Sequence, residues 1–156
     1  MVKKTKVCLI ASCGGHIMEL LQLLPAVYDK DYYIVTERNA SIDNIMVKHR
    51  HYYLMQQQRS GMSFAFIFAW NIFLSFLFFI KERPTTVITT GAGASYPTCK
   101  IANMFGGKVI YVESFAKLTN RSVTGSLVYK FADEFFVQWP EMLNVYPKAK
   151  YRGSVY

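Results

Sequence analysis

A pair of glycines followed by a histidine, in Ser12-Cys13-Gly14-Gly15-His16, comes directly after the short apolar run Lys6 to Ala11. At the carboxyl end of a buried parallel strand such a turn lets backbone N–H groups approach an anion, and the next helix adds its positive end. The turn is neither a GxGxxG fingerprint nor a P-loop, because no Lys-Ser/Thr pair follows Gly15. His16 has two readings at this point. It is a general base for an acceptor hydroxyl, a task that suits an imidazole of unperturbed pKa roughly 6.5, or it only caps the helix start or makes a hydrogen bond. Glu113 ends the run Lys108 to Val112, at the carboxyl end of another strand, where ligands of open α/β sheets bind. It either works in that cleft or binds helix N–H groups or Arg121. A second glycine turn, Gly91-Ala92-Gly93, follows Thr86 to Thr90.

These residues need a scaffold, and the apolar periodicity supplies one. Strands are expected at Lys6–Ala11, Asp31–Thr36, Tyr52–Met55, Thr86–Thr90, Lys108–Val112 and Glu134–Gln138. Helices are expected over 16–28, where Ile17, Leu20, Leu21, Leu24 and Val27 recur at helical spacing, over 62–80, from the second glycine turn to about Met104, and over 122–131. Residues 37–49 read as loop with a short helix, and a seventh short element lies near the chain end. Strand and helix signals alternate six times, which predicts an α/β fold: a Rossmann-like doubly wound parallel sheet of order 3-2-1-4-5-6 in one domain, residues 1–156.

Residues 62–80 carry no charge, between Arg59 and the Lys81-Glu82-Arg83 cluster. At ~1.5 Å per residue they span about 28 Å, close to the hydrocarbon core of a bilayer. Three strands precede this helix and three follow it, so a crossing helix would divide one sheet between two sides of a membrane. The expectation is a helix lying in the membrane surface, with Phe64, Phe66, Trp70, Phe73, Leu74 and Phe78 in contact with lipid, ahead of a partner interface or buried core and of a true crossing. Asn71, Ser75, Ala65 and Ala69 are expected on the face packed against the sheet.

The formal net charge is +8, with 18 Lys and Arg against 10 Asp and Glu. The basic residues are scattered, so a nucleic-acid-binding arm is not expected. The three cysteines, Cys8, Cys13 and Cys99, include no CxxC pair, which argues against a disulfide framework and a zinc site. No metal-ligand cluster is legible, and no cofactor is expected. No secretory signal is legible, since Lys3, Lys4 and Lys6 precede only a short apolar stretch. His49 and His51 read as solvated, and Trp139-Pro140 first as packing and second as partner contact.

The motifs ASCGGH, TTGAGASYP and YVESFA, with SVTGSLVYKFADEFFVQWPEM and YPKAKYRG, resemble the membrane-associated subunit of two-part UDP-sugar transferases. The similarity covers about residues 6–154. That family includes the eukaryotic subunit that recruits the catalytic partner for dolichol-linked N-acetylglucosamine transfer, and the bacterial capsule and exopolysaccharide glycosyltransferase enhancers. It is similar to the N-terminal half of the peptidoglycan N-acetylglucosaminyltransferase. The eukaryotic members carry an N-terminal anchor that is not legible here, so the bacterial branch is the closer match. The resemblance implies half of a GT-B enzyme, peripheral at the cytoplasmic face of the cell membrane. A separate donor-binding subunit would hold the UDP-sugar, and this chain would hold a polyprenyl-diphosphate-linked saccharide. Ser12, Gly14, Gly15, Gly91 and Gly93 would face the acceptor diphosphate, and His16 and Glu113 would be the catalytic candidates. Two rivals stand beside this reading: a non-catalytic membrane scaffold that activates a partner complete in itself, and an unrelated nucleotide-binding Rossmann module.

Overall fold

Six apolar strand signals become a continuous parallel sheet in the computed structural model, which describes residues 5–57 and 63–156. Lys3, Lys4, Arg59 and the expected helix start at Met62 lie outside the described residues. The strands are β1 (Lys6–Ala11), β2 (Asp31–Glu37), β3 (His51–Leu54), β4 (Thr86–Thr89), β5 (Lys108–Val112), β6 (Glu134–Val137) and β7 (Lys150–Tyr151). Their order is β3-β2-β1-β4-β5-β6-β7, and every pairing is parallel. The expected order of six strands is present, and the short seventh element adds an edge strand against β6. The chain reverses direction of travel between β1 and β4, so the carboxyl ends of these two neighbours form the crevice of the sheet.

Alternation along β1 divides the core. Val7, Leu9 and Ala11 pack on one face with α1 (Gly15–Leu21) and α2 (Ala40–Met46). Cys8 and Ile10 point to the other face, covered by α3 (Ser63–Glu82), α4 (Tyr96–Met104) and α5 (Val123–Val128). The first helix is shorter than its apolar periodicity predicts. Pro25 has no N–H, and its ring clashes with the carbonyl four residues back, which is Leu21, the last residue of α1. A 3-10 turn, Leu24–Ala26, carries the apolar stripe onward. His49 and His51 are half-buried and hydrogen-bonded, His49 Nδ1 to the Tyr32 hydroxyl at 3.0 Å and His51 Nδ1 to the His49 carbonyl at 2.8 Å. The edge strand β3 brings them against β2, so they are not the solvated pair that the sequence predicts.

Helix α3 runs antiparallel to the strands. Near its middle the Asn71 side chain accepts from Met55 N at 2.9 Å and donates to Met55 O at 2.8 Å, just past the end of β3. At its end Glu82 binds the Tyr52 hydroxyl and Lys6 Nζ, the latter at 3.0 Å and at the beginning of β1. Asn71, Ser75, Phe79 and Glu82 are the buried residues, one stripe at helical spacing. Ala65 and Ala69, expected on that stripe, are exposed. The sheet ends where Asn71 is tied, so the part of α3 before Asn71 extends about 12 Å past the carboxyl edge, with Phe64, Ala65, Phe66, Ala69 and Trp70 exposed and Ile67 and Phe68 half-buried.

Candidate functional site

Two glycine loops meet in the crevice between β1 and β4. The first leaves β1 at Ser12 and enters α1 at Gly15, and its N-cap Gly14 has φ 90 and no side chain to satisfy the first N–H groups of the helix. The second leaves β4 through Gly91 at φ 102 and Ala92 at φ 73, an uncommon backbone for a residue with a Cβ. Gly91 is required twice over, because a Cβ there would also stand 2.6 Å from the Tyr111 hydroxyl. Gly15 differs: a Cβ there meets nothing within 4 Å, so the space above the first loop is open. Gly14, Gly15 and Gly93 are exposed, Ser12 is half-buried and Gly91 is buried.

His16 joins the loops. Its Nδ1 lies 2.9 Å from the Thr90 carbonyl, and the Thr90 hydroxyl donates back to the His16 carbonyl at 2.6 Å. A carbonyl only accepts, so Nδ1 carries the proton and Nε2 of the neutral ring keeps its lone pair. The half-buried ring is therefore held in the tautomer that a general base needs.

Glu113 sits differently. It is 1% exposed, and its carboxylate accepts from Ser114 N at 3.0 Å, Ser122 Oγ at 2.9 Å and the Tyr146 hydroxyl at 2.8 Å. Ser122 caps α5 by accepting from Gly125 N at 2.9 Å. Arg121 turns away from Glu113, donating to the Val145 carbonyl and covering the Tyr146 ring. Burial and the neighbouring Glu113 carboxylate push the Tyr146 phenol well above its usual range, so it stays a donor. The carboxylate thus fixes the loop between β5 and α5.

Two further buried carboxylates organise the crevice, and of them Glu37 carries the same signal in the sequence, an acid at the carboxyl end of a strand. Glu37, at the carboxyl end of β2, accepts from Cys13 N at 3.3 Å and Gln57 N at 2.9 Å, bracing the first loop and the segment after β3. Glu19, an acid inside the apolar run of α1, accepts from Ser114 Oγ at 3.1 Å, Phe115 N at 3.2 Å and Gln138 Nε2 at 3.1 Å. Burial pushes the Cys8 thiol up to about 12, and burial with the Glu37 carboxylate raises Cys13, so neither is a ready nucleophile. Among the described residues no group of three His, Cys, Asp or Glu converges on a point. Trp139 packs on Phe115 and donates to its carbonyl at 2.7 Å.

Helix α3 presents its apolar side outward. Among the described residues it is long and apolar enough to cross a membrane, with mean hydropathy 2.0 and 17% of the stretch buried. Phe64, Phe66, Trp70 and Phe73 are exposed as expected, and Ile72, Phe76, Leu77 and Ile80 join them. Leu74 and Phe78, expected on the lipid side, are half-buried and pack on the core, Phe78 stacking on Tyr52 at 4.6 Å. They lie next to the Asn71–Ser75–Phe79 stripe and are drawn in with it.

The sequence pattern of the Alg14-like oligosaccharide biosynthesis proteins matches residues 7–155. The chain belongs to the Alg14-like family. Curated Alg14 relatives are similar along most of its length. The rat protein named UDP-N-acetylglucosamine transferase subunit ALG14 is 28% identical, covering 94% of this chain and 81% of its own. The Schizosaccharomyces pombe subunit of the same name is 29% identical, covering 91% and 79%. Among solved structures, Acinetobacter baumannii MurG superposes with TM-score 0.71 at 14% identity, covering 88% of this chain and 42% of that one. UDP-N-acetylglucosamine 2-epimerase of Rickettsia bellii superposes with TM-score 0.73 at 13% identity, covering 98% and 46%. The likeness to these two is one of fold, and this Alg14-like chain spans less than half of each. It is a Rossmann-like unit of the GT-B type.

Proposed function

We propose that this Alg14-like chain is the acceptor-binding, partner-recruiting half of a split GT-B glycosyltransferase. It binds a polyprenyl-diphosphate-linked saccharide, while a separate chain holds the UDP-sugar, which the relatives' names give as UDP-N-acetylglucosamine for them. The observation that carries this reading is the His16–Thr90 clamp, a base nitrogen held free between two glycine loops at the crevice of a single Rossmann unit. In the reaction the acceptor hydroxyl attacks the anomeric carbon and UDP leaves from the opposite side. His16 Nε2 takes the hydroxyl proton as the bond forms, and the first N–H groups of α1 face the acceptor diphosphate. Glu113 is a positioning residue in this reading, because its oxygens are already engaged by Ser114, Ser122 and Tyr146. The setting we assign is bacterial capsule or exopolysaccharide assembly, on the sequence resemblance to the enhancer proteins.

A second chain has a surface to occupy. On the α1 side of the sheet a cavity of about 450 Å³ opens over β4, β5 and β6, lined by Ile88, Ile110 and Phe136 and bordered by Arg152 to Val155. An apolar sheet face left this open needs a cover. The purified chain is expected to transfer no sugar alone and to gain activity with a donor-binding partner. Robust turnover by the isolated chain, given UDP-sugar and lipid-linked acceptor, would overturn the split-enzyme reading. Gly15→Leu, which has open space for its side chain, should leave Tm nearly unchanged and raise the acceptor KM of the pair at least about tenfold. An unchanged KM would remove the first loop from the acceptor site.

The membrane is held by α3. The helix connects β3 and β4 of one continuous sheet, so it lies along the surface of a bilayer with both of its ends on one side. Phe66, Trp70, Phe73 and Leu77 form one exposed stripe at 81%, 49%, 49% and 43% exposure. Burying each contributes about 1.5–3 kcal/mol. Replacing all four by Ser should move the protein from the vesicle pellet to the supernatant with its thermal melt retained. Continued sedimentation with vesicles would place the membrane contact elsewhere.

A further inference from the structure

Between α3 and α4 runs an apolar groove of about 230 Å³, floored and walled by Phe68, Ile72, Tyr96, Ile101 and Met104, with Lys100 at its rim. Its upper end is Tyr96, the first residue of α4, three positions after Gly93 of the second glycine loop. From Tyr96 to Met104 the helix rises about 12 Å. Just past the lower end Phe105 packs on Phe79 at 5.3 Å and on Phe76 at 6.4 Å between ring centres. The groove thus runs from beside the second glycine loop down to the Phe76, Phe79 and Phe105 rings. It also opens sideways onto the face where Ile72, Phe73 and Phe76 of α3 are exposed.

We propose that this groove seats the isoprenoid segment next to the diphosphate of the lipid-linked acceptor. The inference rests on the acceptor-binding reading above and extends it from the head of that molecule to its tail. A polyprenyl diphosphate joins an anion directly to an unbranched run of apolar units, and the protein offers the matching sequence of surfaces. Glycine-loop N–H groups come first, then the apolar groove, then the exposed stripe of α3. Apart from Lys100 no lining residue is charged. Unpaired polar groups are costly beside a hydrocarbon chain, and aromatic and aliphatic walls suit one. A tail held in the groove fixes the diphosphate at the loops, which orders the acceptor before the sugar arrives.

The test is photolabelling of the full chain in detergent with a benzophenone-bearing farnesyl diphosphate, read by mass spectrometry without any turnover. Label is expected on peptides carrying Ile72, Ile101 and Met104. Ile72→Glu with Met104→Glu, both at exposed positions, should lower it at least about tenfold. Val47→Glu, beside α2 on the opposite side of the sheet and 78% exposed, should leave it unchanged. Excess unlabelled farnesyl diphosphate should compete, and excess phosphatidylglycerol should not. Label spread evenly over α3, label indifferent to the double substitution, or equal competition by phosphatidylglycerol would each overturn the isoprenoid groove. A pair that transfers no sugar while the groove still labels would remove the transferase reading and leave the groove standing.

Discussion

Replacing His16 with Ala is expected to lower kcat of the assembled pair by at least ~100-fold, about 2.7 kcal/mol of transition-state stabilisation. The cause is local. Thr90 holds Nδ1–H, which leaves Nε2 as the nitrogen able to accept a proton, and no second imidazole stands in the crevice, since His49 and His51 belong to the β2–β3 edge. Partner binding and vesicle binding should be unchanged, because His16 lines neither the open β4–β6 cavity nor the exposed stripe of α3. A loss confined to acceptor KM would make His16 an orienting residue for the diphosphate instead. Near-normal kcat in the variant would assign the proton to the partner chain, and this chain would then act as a scaffold.

The second large effect is expected in stability. Glu113→Ala would leave the Tyr146 hydroxyl and the Ser114 N–H buried without their acceptor and would take the acceptor of the half-buried Ser122 hydroxyl. Each such group costs about 1–3 kcal/mol, so a total of at least about 3 kcal/mol is expected. For a domain of this length that lowers Tm by roughly 6–12 °C. Glu113→Gln keeps the shape and one acceptor oxygen, and should fall between the variant and the parent. Its surviving folded fraction should keep the parental pH profile, as a positioning residue requires. A Glu113→Gln protein of parental Tm that transfers no sugar would return the base role to Glu113. The packing around the carboxylate makes a companion test available: a Cβ at Gly125 would stand 2.3 Å from Glu113 Oε2, so Gly125→Ala should destabilise through the same cluster.

The two carboxyl-end acids show where a one-dimensional reading stops. Glu113 is recognisable as an acid at the end of a central strand, and so is Glu37, but position alone does not tell a catalytic carboxylate from a bracing one. The answer lies in Ser122, Tyr146 and Ser114 converging from three segments, and contacts of sequence separation up to 33 residues leave no periodic trace. Glu19 was less legible still. Its partners Phe115 and Gln138 lie 96 and 119 positions away, and only its place inside an apolar helical stripe marks it. In α3 the limit is different. Composition identifies an apolar helix, but its buried stripe depends on where β3 ends and where Asn71 is tied. For that reason Leu74 and Phe78 turned inward and Ala65 and Ala69 outward.

The sequence by itself determined the strand–helix alternation, the strand order through six strands, the two glycine turns at carboxyl ends and the identity of the apolar helix. Each of these is written in local periodicity or in a residue whose backbone or hydrophobicity is distinctive, so no knowledge of distant neighbours is needed. Only the tertiary structure decided that His16 is clamped across the crevice by Thr90 with its Nε2 free, that Glu113 is sealed by Ser122 and Tyr146, and that a groove opens between α3 and α4. These depend on which side chains the folded sheet brings within hydrogen-bond or van der Waals reach, and pairwise proximity across the chain is set by packing.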